Sequence, residues 1–157
     1  MGVIICDTRE KRNEHILRYF DRHGVAYRIG KVDTGDYMDE ERPKLRLERK
    51  ANLAEMAHNL LSPDRARFYR EIRRAREAGI RLLILCEQSG IQGLADVQKW
   101  VPKYGRASGR ALAEAIYRLE VAYAVPVFFC GRRSAGKQIC ELLGGENDGD
   151  EDLLRGG

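Results

Sequence analysis

Short apolar runs alternate with stretches of helical periodicity along this chain, and that alternation limits the fold more than any other feature. Residues 3–6, 25–32, 45–48, 82–86 and 125–130 read as strands. Between and after them, apolar positions recur at helical spacing. Ile16, Leu17 and Phe20 follow a possible cap at Asn13, with Gly24 as the stop. Asn52 and Glu55 have the form of a capping box ahead of Leu53, Met56, Ala57, Leu60 and Leu61. Phe68, Ile72 and Ala75 mark a helix over 64–78, Leu112, Ile116, Leu119 and Tyr123 one over 108–123, and Ser134 opens a last one through Leu143. The 88–107 stretch is irregular, and the DTGDY segment reads as a turn. The pattern predicts an α/β protein, a three-layer sandwich around a central, largely parallel sheet.

At 157 residues the chain has room for one domain, expected over 1–145, followed by an acidic tail at 146–157 that reads as disordered. The net charge of +4 conceals a division: the tail carries −4 and residues 1–145 carry +8. A basic body of that size suggests a polyanionic partner. No run of 18 apolar residues predicts a membrane span, and the apolar start is too short for a signal peptide. Cys6, Cys86, Cys130 and Cys140 lack metal-ligand spacing, and three of them end apolar runs. Buried reduced thiols in an intracellular, cytoplasmic or nucleoid-associated protein are the expectation.

The chemistry concentrates before residue 51. Asp7 ends a strand, Asp36 sits in a Gly-Asp turn, and Glu48 and Lys50 lie at the end of another strand. Taken singly, each acid reads as a solvated charge beside a turn. Brought together they repel, and such a cluster calls for a cation. Oxygen ligands select Mg²⁺ or Mn²⁺, which can acidify a bound water and neutralise charge growing on a phosphate. Two residues after Glu48, Lys50 points to the same side of its strand and can orient water or stabilise that charge. The set favours metal-dependent phosphodiester hydrolysis.

These segments resemble a known family. ICDTREKR, KVDTGDYMDEE and LRLERKANLAEMAHNLL are similar to the nuclease domain of XPF-family structure-specific endonucleases, which has a restriction-endonuclease-like fold. Gly35-Asp36 and Glu48-Arg49-Lys50 match its signature, and Asp7 to Glu10 its upstream Asp-x-Arg-Glu element. The resemblance continues through RFYREIRRA, LLILCE, GRALAEAIYRL and VFFC. It implies cleavage of branched or flapped DNA in repair or recombination, with Mg²⁺ or Mn²⁺ at Asp7, Asp36 and Glu48, and Lys50 as the catalytic lysine. Glu10, Arg9 and Arg49 would support the site or touch the scissile phosphate. It also implies a homodimer or heterodimer through the C-terminal half, where Val121 and Ala122 leave apolar surface. The signature's final Asp falls at Ala54, with Asn52 and Glu55 the nearest polar substitutes. The family's helix-hairpin-helix modules do not follow. Both departures suit an alternative, a silent DNA-binding or scaffold subunit.

Gly131 to Lys137 matches a phosphate-loop pattern, but Gln138 stands where a Ser or Thr would hold Mg²⁺. Arg132, Arg133 and Lys137 read instead as DNA-phosphate contacts or as a plain surface loop. Arg65, Arg67, Arg70, Arg73, Arg74 and Arg76 crowd one helix against three acids, and Arg70, Arg73 and Arg74 are expected to meet DNA backbone. Lys99, Lys103, Arg106 and Arg110 surround Trp100, which can stack on a base or cap a core edge. His15, His23 and His58 share no ligand spacing and read as surface or helix-flank residues.

Overall fold

The structure, a computed structural model, describes residues 1–144, so the expected tail lies outside the described residues. Six strands form one sheet in the order β2-β1-β3-β4-β5-β6. They are β1 (Ile4–Asp7), β2 (Tyr27–Gly30), β3 (Tyr37–Asp39), β4 (Leu45–Lys50), β5 (Arg81–Glu87) and β6 (Val127–Cys130). The helices are α1 (Glu14–Arg22), α2 (Leu53–Leu61), α3 (Arg65–Glu77), α4 (Leu94–Gln98), α5 (Gly109–Ala122) and α6 (Ala135–Gly144). A 3-10 turn, Arg132–Ser134, leads into α6 in place of a simple Ser134 cap.

The sheet is mixed and mostly parallel. β1 pairs parallel with β2, and β4, β5 and β6 run parallel to one another. β3 is antiparallel to both β1 and β4, so it reverses the chain in the middle of the sheet. Its three residues are too few to show a period, and only pairing on both sides makes them a strand. Gly35 at φ +84 turns the chain into it, and a Cβ there would lie 3.1 Å from the Arg46 Cβ. α4, in the stretch read as irregular, is the other element that periodicity does not announce.

Alternation along the strands builds a core on each face. Leu83 and Leu85 of β5 pack with Leu47 of β4 under α1 and α6, against Ile16, Phe20 and Ile139. Leu82, Ile84 and Cys86 face the other way, toward Met56, Phe68, Leu112 and Ile116 of α2, α3 and α5. Each such fully buried Leu or Ile contributes about 1.5–3 kcal/mol of transfer free energy. Two helices lean closer than side chains allow. A Cβ on Gly136 would meet the Tyr19 Cβ at 2.6 Å and the first ring carbon at 2.7 Å, so this glycine of the phosphate-loop pattern is a packing residue between α1 and α6. Gly109 likewise lets α5 start against the Val97, Gln98 and Trp100 carbonyls, with Ser108 capping through its hydroxyl.

Candidate active site

β3 decides where the acids go. Cys6, Tyr37 and Leu47 lie side by side across β1, β3 and β4 and point to the α1/α6 core. One step along this ladder come Asp7, Asp36 and Glu48, tied by Asp7 N–H to Asp36 O and Asp36 N–H to Leu47 O, both 2.8 Å. Strand alternation turns all three toward the α3 face. There they line one cavity of about 400 Å³ with Arg9, Phe68, Glu71 and Arg74. Lys50 projects to the same face, as its spacing from Glu48 predicts. Its ammonium lies 3.2 Å from Glu48 Oε1 and 5.1 Å from the Phe68 ring centroid, only 5% exposed.

The three carboxylates differ in electrostatic state. Burial, then the charges of Glu48 and Glu10, push Asp36 up to about 8, against the pull of the Arg49 N–H and Lys50. Burial also raises Glu48, although Lys50 pulls it back. Asp7 is the exception. Burial would raise it, but the Val32 N–H at 2.8 Å and the Arg9 guanidinium at 2.7 Å outweigh that and hold it below the ordinary carboxylate range. Arg9 also donates to Val32 O, so Asp7 and Arg9 together brace the loop that leads into β3.

Arg49 sits between Glu48 and Lys50 in sequence and on the opposite face of the sheet. Its guanidinium is buried and fully engaged, by Glu10 Oε2 at 2.7 Å, Glu87 Oε1 at 3.0 Å and Lys11 O at 2.7 Å. Glu10 in turn accepts from Tyr37 OH at 2.7 Å. The family resemblance implies that Glu10 and Arg49 support the site or touch the scissile phosphate. The structure sets both behind the acid row, away from the cavity. Glu87 completes this buried cluster, and sequence reasoning passed over it. The available signal was a carboxylate closing the apolar LLILCE run. Its second partner is His15, 2.8 Å away, which lies largely buried on α1, so of the surface and helix-flank readings only the second holds for that histidine. Asn13, read as a cap, donates instead to Tyr37 OH and Cys6 Sγ.

The remaining expected residues divide. Arg74 lines the cavity, Arg70 lines the adjoining hollow along α3, and Arg73 is exposed on the same helix. Arg132, Arg133 and Lys137 lie at the start of α6 and do not line the cavity; Lys137 is 3.9 Å from Glu141. Ala54 is exposed, and Asn52 occupies the neighbouring polar position as a helix cap, accepting the Glu55 N–H at 2.8 Å. Among the described residues, no three His, Cys, Asp or Glu side chains form a ready-made metal cage. All four thiols are free, and burial raises those of Cys6 and Cys130 to about 11 and that of Cys86 to about 12, which leaves them protonated. No helix of the described residues is long and apolar enough to cross a membrane.

Comparison with known proteins agrees with the fold. XPF from Aeropyrum pernix is 20% identical, with a TM-score of 0.69 over 97% of this chain and 70% of that one. XPF from the same organism in complex with DNA gives the same identity and TM-score over 90% of this chain and 63% of the other. Both likenesses are of fold. No curated protein matches the chain. A family model, the ERCC4 domain, matches residues 6–140 and takes in the acid row, the Glu-Arg-Lys strand and the sheet through β6. On that span the chain belongs to the ERCC4 family of nuclease domains.

Proposed function

We propose that the chain is a metal-dependent endonuclease that hydrolyses phosphodiester bonds in branched or flapped DNA, in repair or recombination. One observation carries this reading: Asp36 and Glu48 meet on one face of the sheet, in a cavity that Arg9 and Arg74 also line, with the Lys50 ammonium 3.2 Å behind Glu48. The donor set fits a hard divalent cation. Asp36 is raised to about 8 by burial and by neighbouring carboxylates, so a cation between it and Glu48 would relieve the repulsion. Mg²⁺ needs only one or two carboxylates when water and a substrate phosphate complete its shell. Asp36 and Glu48 would hold the ion, and Asp7, already saturated, would orient the row. Once bound, the ion would supply a more acidic water and neutralise charge on the phosphate.

The protein's own groups do the rest. Lys50, held under Phe68, presents an ammonium to the nucleophile or to the developing negative charge. Arg9 and Arg74 grip phosphate oxygens at the cavity rim. The buried Arg49 cluster fixes β4, so that Glu48 and Lys50 keep their direction. A dimer through α5 belongs to the same reading, since Tyr117 and Val121 stand 58% and 66% exposed on that helix.

The committed Asp7 carboxylate and the exposed Ala54 favour a second reading, a DNA-binding subunit without cleavage. Labelled fork, flap and four-way-junction DNA incubated with Mn²⁺ separates the two. The enzyme reading expects cutting by the natural chain and a rate at least about a hundred-fold lower for Asp36→Ala and Lys50→Ala. Equal cutting by all three, or binding without cutting by any, sinks it.

A further inference from the structure

Three hollows run in succession along one side of the molecule. The acid-row cavity shares Phe68 and Glu71 with a second hollow of about 540 Å³, and that one shares His58 and Pro63 with a third of about 620 Å³. Each carries its own cations: Arg74 in the first, Arg67 and Arg70 in the second, Arg106 in the third. Asp64 and Glu71 are the acids of the middle section, and Glu71 is 3.8 Å from Arg67. The third hollow changes character. Trp100, Pro102 and Tyr104 wall it, Tyr104 is 81% exposed, and Lys103 lies 5.6 Å from its ring centroid.

We infer that this succession is a path for a single DNA strand, which leads from the acid row along α3 to a stacking platform formed by Trp100 and Tyr104. The inference rests on the nuclease reading, and it names the part of a branched substrate that the chain grips. The physical argument is selectivity. Arginines spaced along a groove attract any phosphate backbone. An aromatic wall adds affinity only for bases whose faces are free, and in a duplex those faces are stacked on each other. From Arg74 to Arg67 the helix rises about 10 Å, so the path accommodates a few nucleotides of extended strand. The platform is also fixed in place: Gly109 lets α5 close against the Trp100 carbonyl, and the Trp100 ring packs on the α2/α5 core. One edge of the indole therefore serves the core while the hollow remains open beside it.

Trp100 is the sole tryptophan, so its emission reports on this hollow alone. The test titrates the whole chain, in chelator to prevent cleavage, with oligothymidine of about eight nucleotides, within the range of single-strand grooves. A blunt duplex of the same length is the comparison, and anisotropy of labelled strands reports binding independently. Saturable quenching by the single strand is expected, with little from the duplex. Tyr104→Ala, a change at an exposed side chain, should weaken oligothymidine binding on the order of ten-fold. Arg70→Ala and Arg106→Ala should each lower the salt slope by about 0.7. Equal quenching by duplex, binding with Trp100 emission unchanged, or no oligothymidine binding overturns the path. Cleavage is read separately with Mn²⁺: quenching without cleavage removes the nuclease reading and leaves the path, and cleavage without quenching does the reverse.

Discussion

The Arg49 guanidinium donates to Glu87 at 3.0 Å on the face of the sheet opposite the one to which Glu48 and Lys50 point. Three consecutive residues of one strand thus serve two purposes. Of the outer two, Glu48 lines the cavity and Lys50 backs it from the same face, and the middle one anchors the strand to β5 and, through Glu10, to the loop after β1.

Removing the anchor should cost stability before chemistry. Arg49→Ala leaves Glu10 with Tyr37 and Glu87 with His15 but strips the guanidinium from both, and breaking such a buried pair costs about 3–5 kcal/mol. Urea unfolding should show that loss. A stable Arg49→Ala protein with cleavage abolished would place the guanidinium in the chemistry instead.

Lys50→Ala should lower the cleavage rate about 10²- to 10³-fold, the usual effect of removing one preorganised charge-stabilising donor. Because Lys50 is buried beneath Phe68, DNA affinity should change little. Fork binding and single-turnover cutting, measured side by side, check both halves.

Asp36 gives the metal-free protein a pH dependence of definite sign. Its native carboxyl is raised to about 8, while in the unfolded chain it titrates near the ordinary 3.9. Between those values the native state holds the extra proton, so stability contributed by this group falls as pH rises from about 4 to about 8. Thermal midpoints in chelator should decline across that window. Asp36→Asn should flatten the decline and melt higher at pH 8, and added Mg²⁺ should restore the natural chain but not this variant.

Asn52 should behave as a cap and nothing more. Asn52→Ala removes the oxygen that accepts the Glu55 N–H and should cost about 1 kcal/mol, with cleavage retained. A large loss of activity at unchanged stability would make the position part of the site.

Gly136→Ala should destabilise by about 1–3 kcal/mol, since its Cβ would meet the Tyr19 Cβ at 2.6 Å. Measured against Tyr19→Gly alone, which removes that Cβ, the added Gly136→Ala change should cost much less, whereas Tyr19→Ala keeps the clashing atom and should leave most of the penalty. This coupling is expected of a packing glycine and not of a phosphate-cradling one.

The residues alone determined the alternating layers, the buried strands and the pairing of Glu48 with Lys50, because each depends on a period of two or 3.6 that local sequence records. They also brought forward the Gly-Asp and Glu-Arg-Lys segments by family likeness. Only the tertiary structure decided which acids are free to act. Asp7 and Asp36 look alike in the sequence, but Asp7 is saturated by Val32 and Arg9, while Asp36 stays near Glu48 with few donors. Nor could the sequence separate Arg49 from its neighbours or supply Glu87 and His15 as its companions. The Arg49–Glu87 contact follows from the direct pairing of β4 with β5, while the acid row and the Arg49–Glu10 contact depend on β3, three residues without a readable period, whose antiparallel pairing on both sides brings β1 and β4 into register. A carboxylate's charge state and an arginine's direction follow from what lies across the sheet, and long-range pairing alone puts it there.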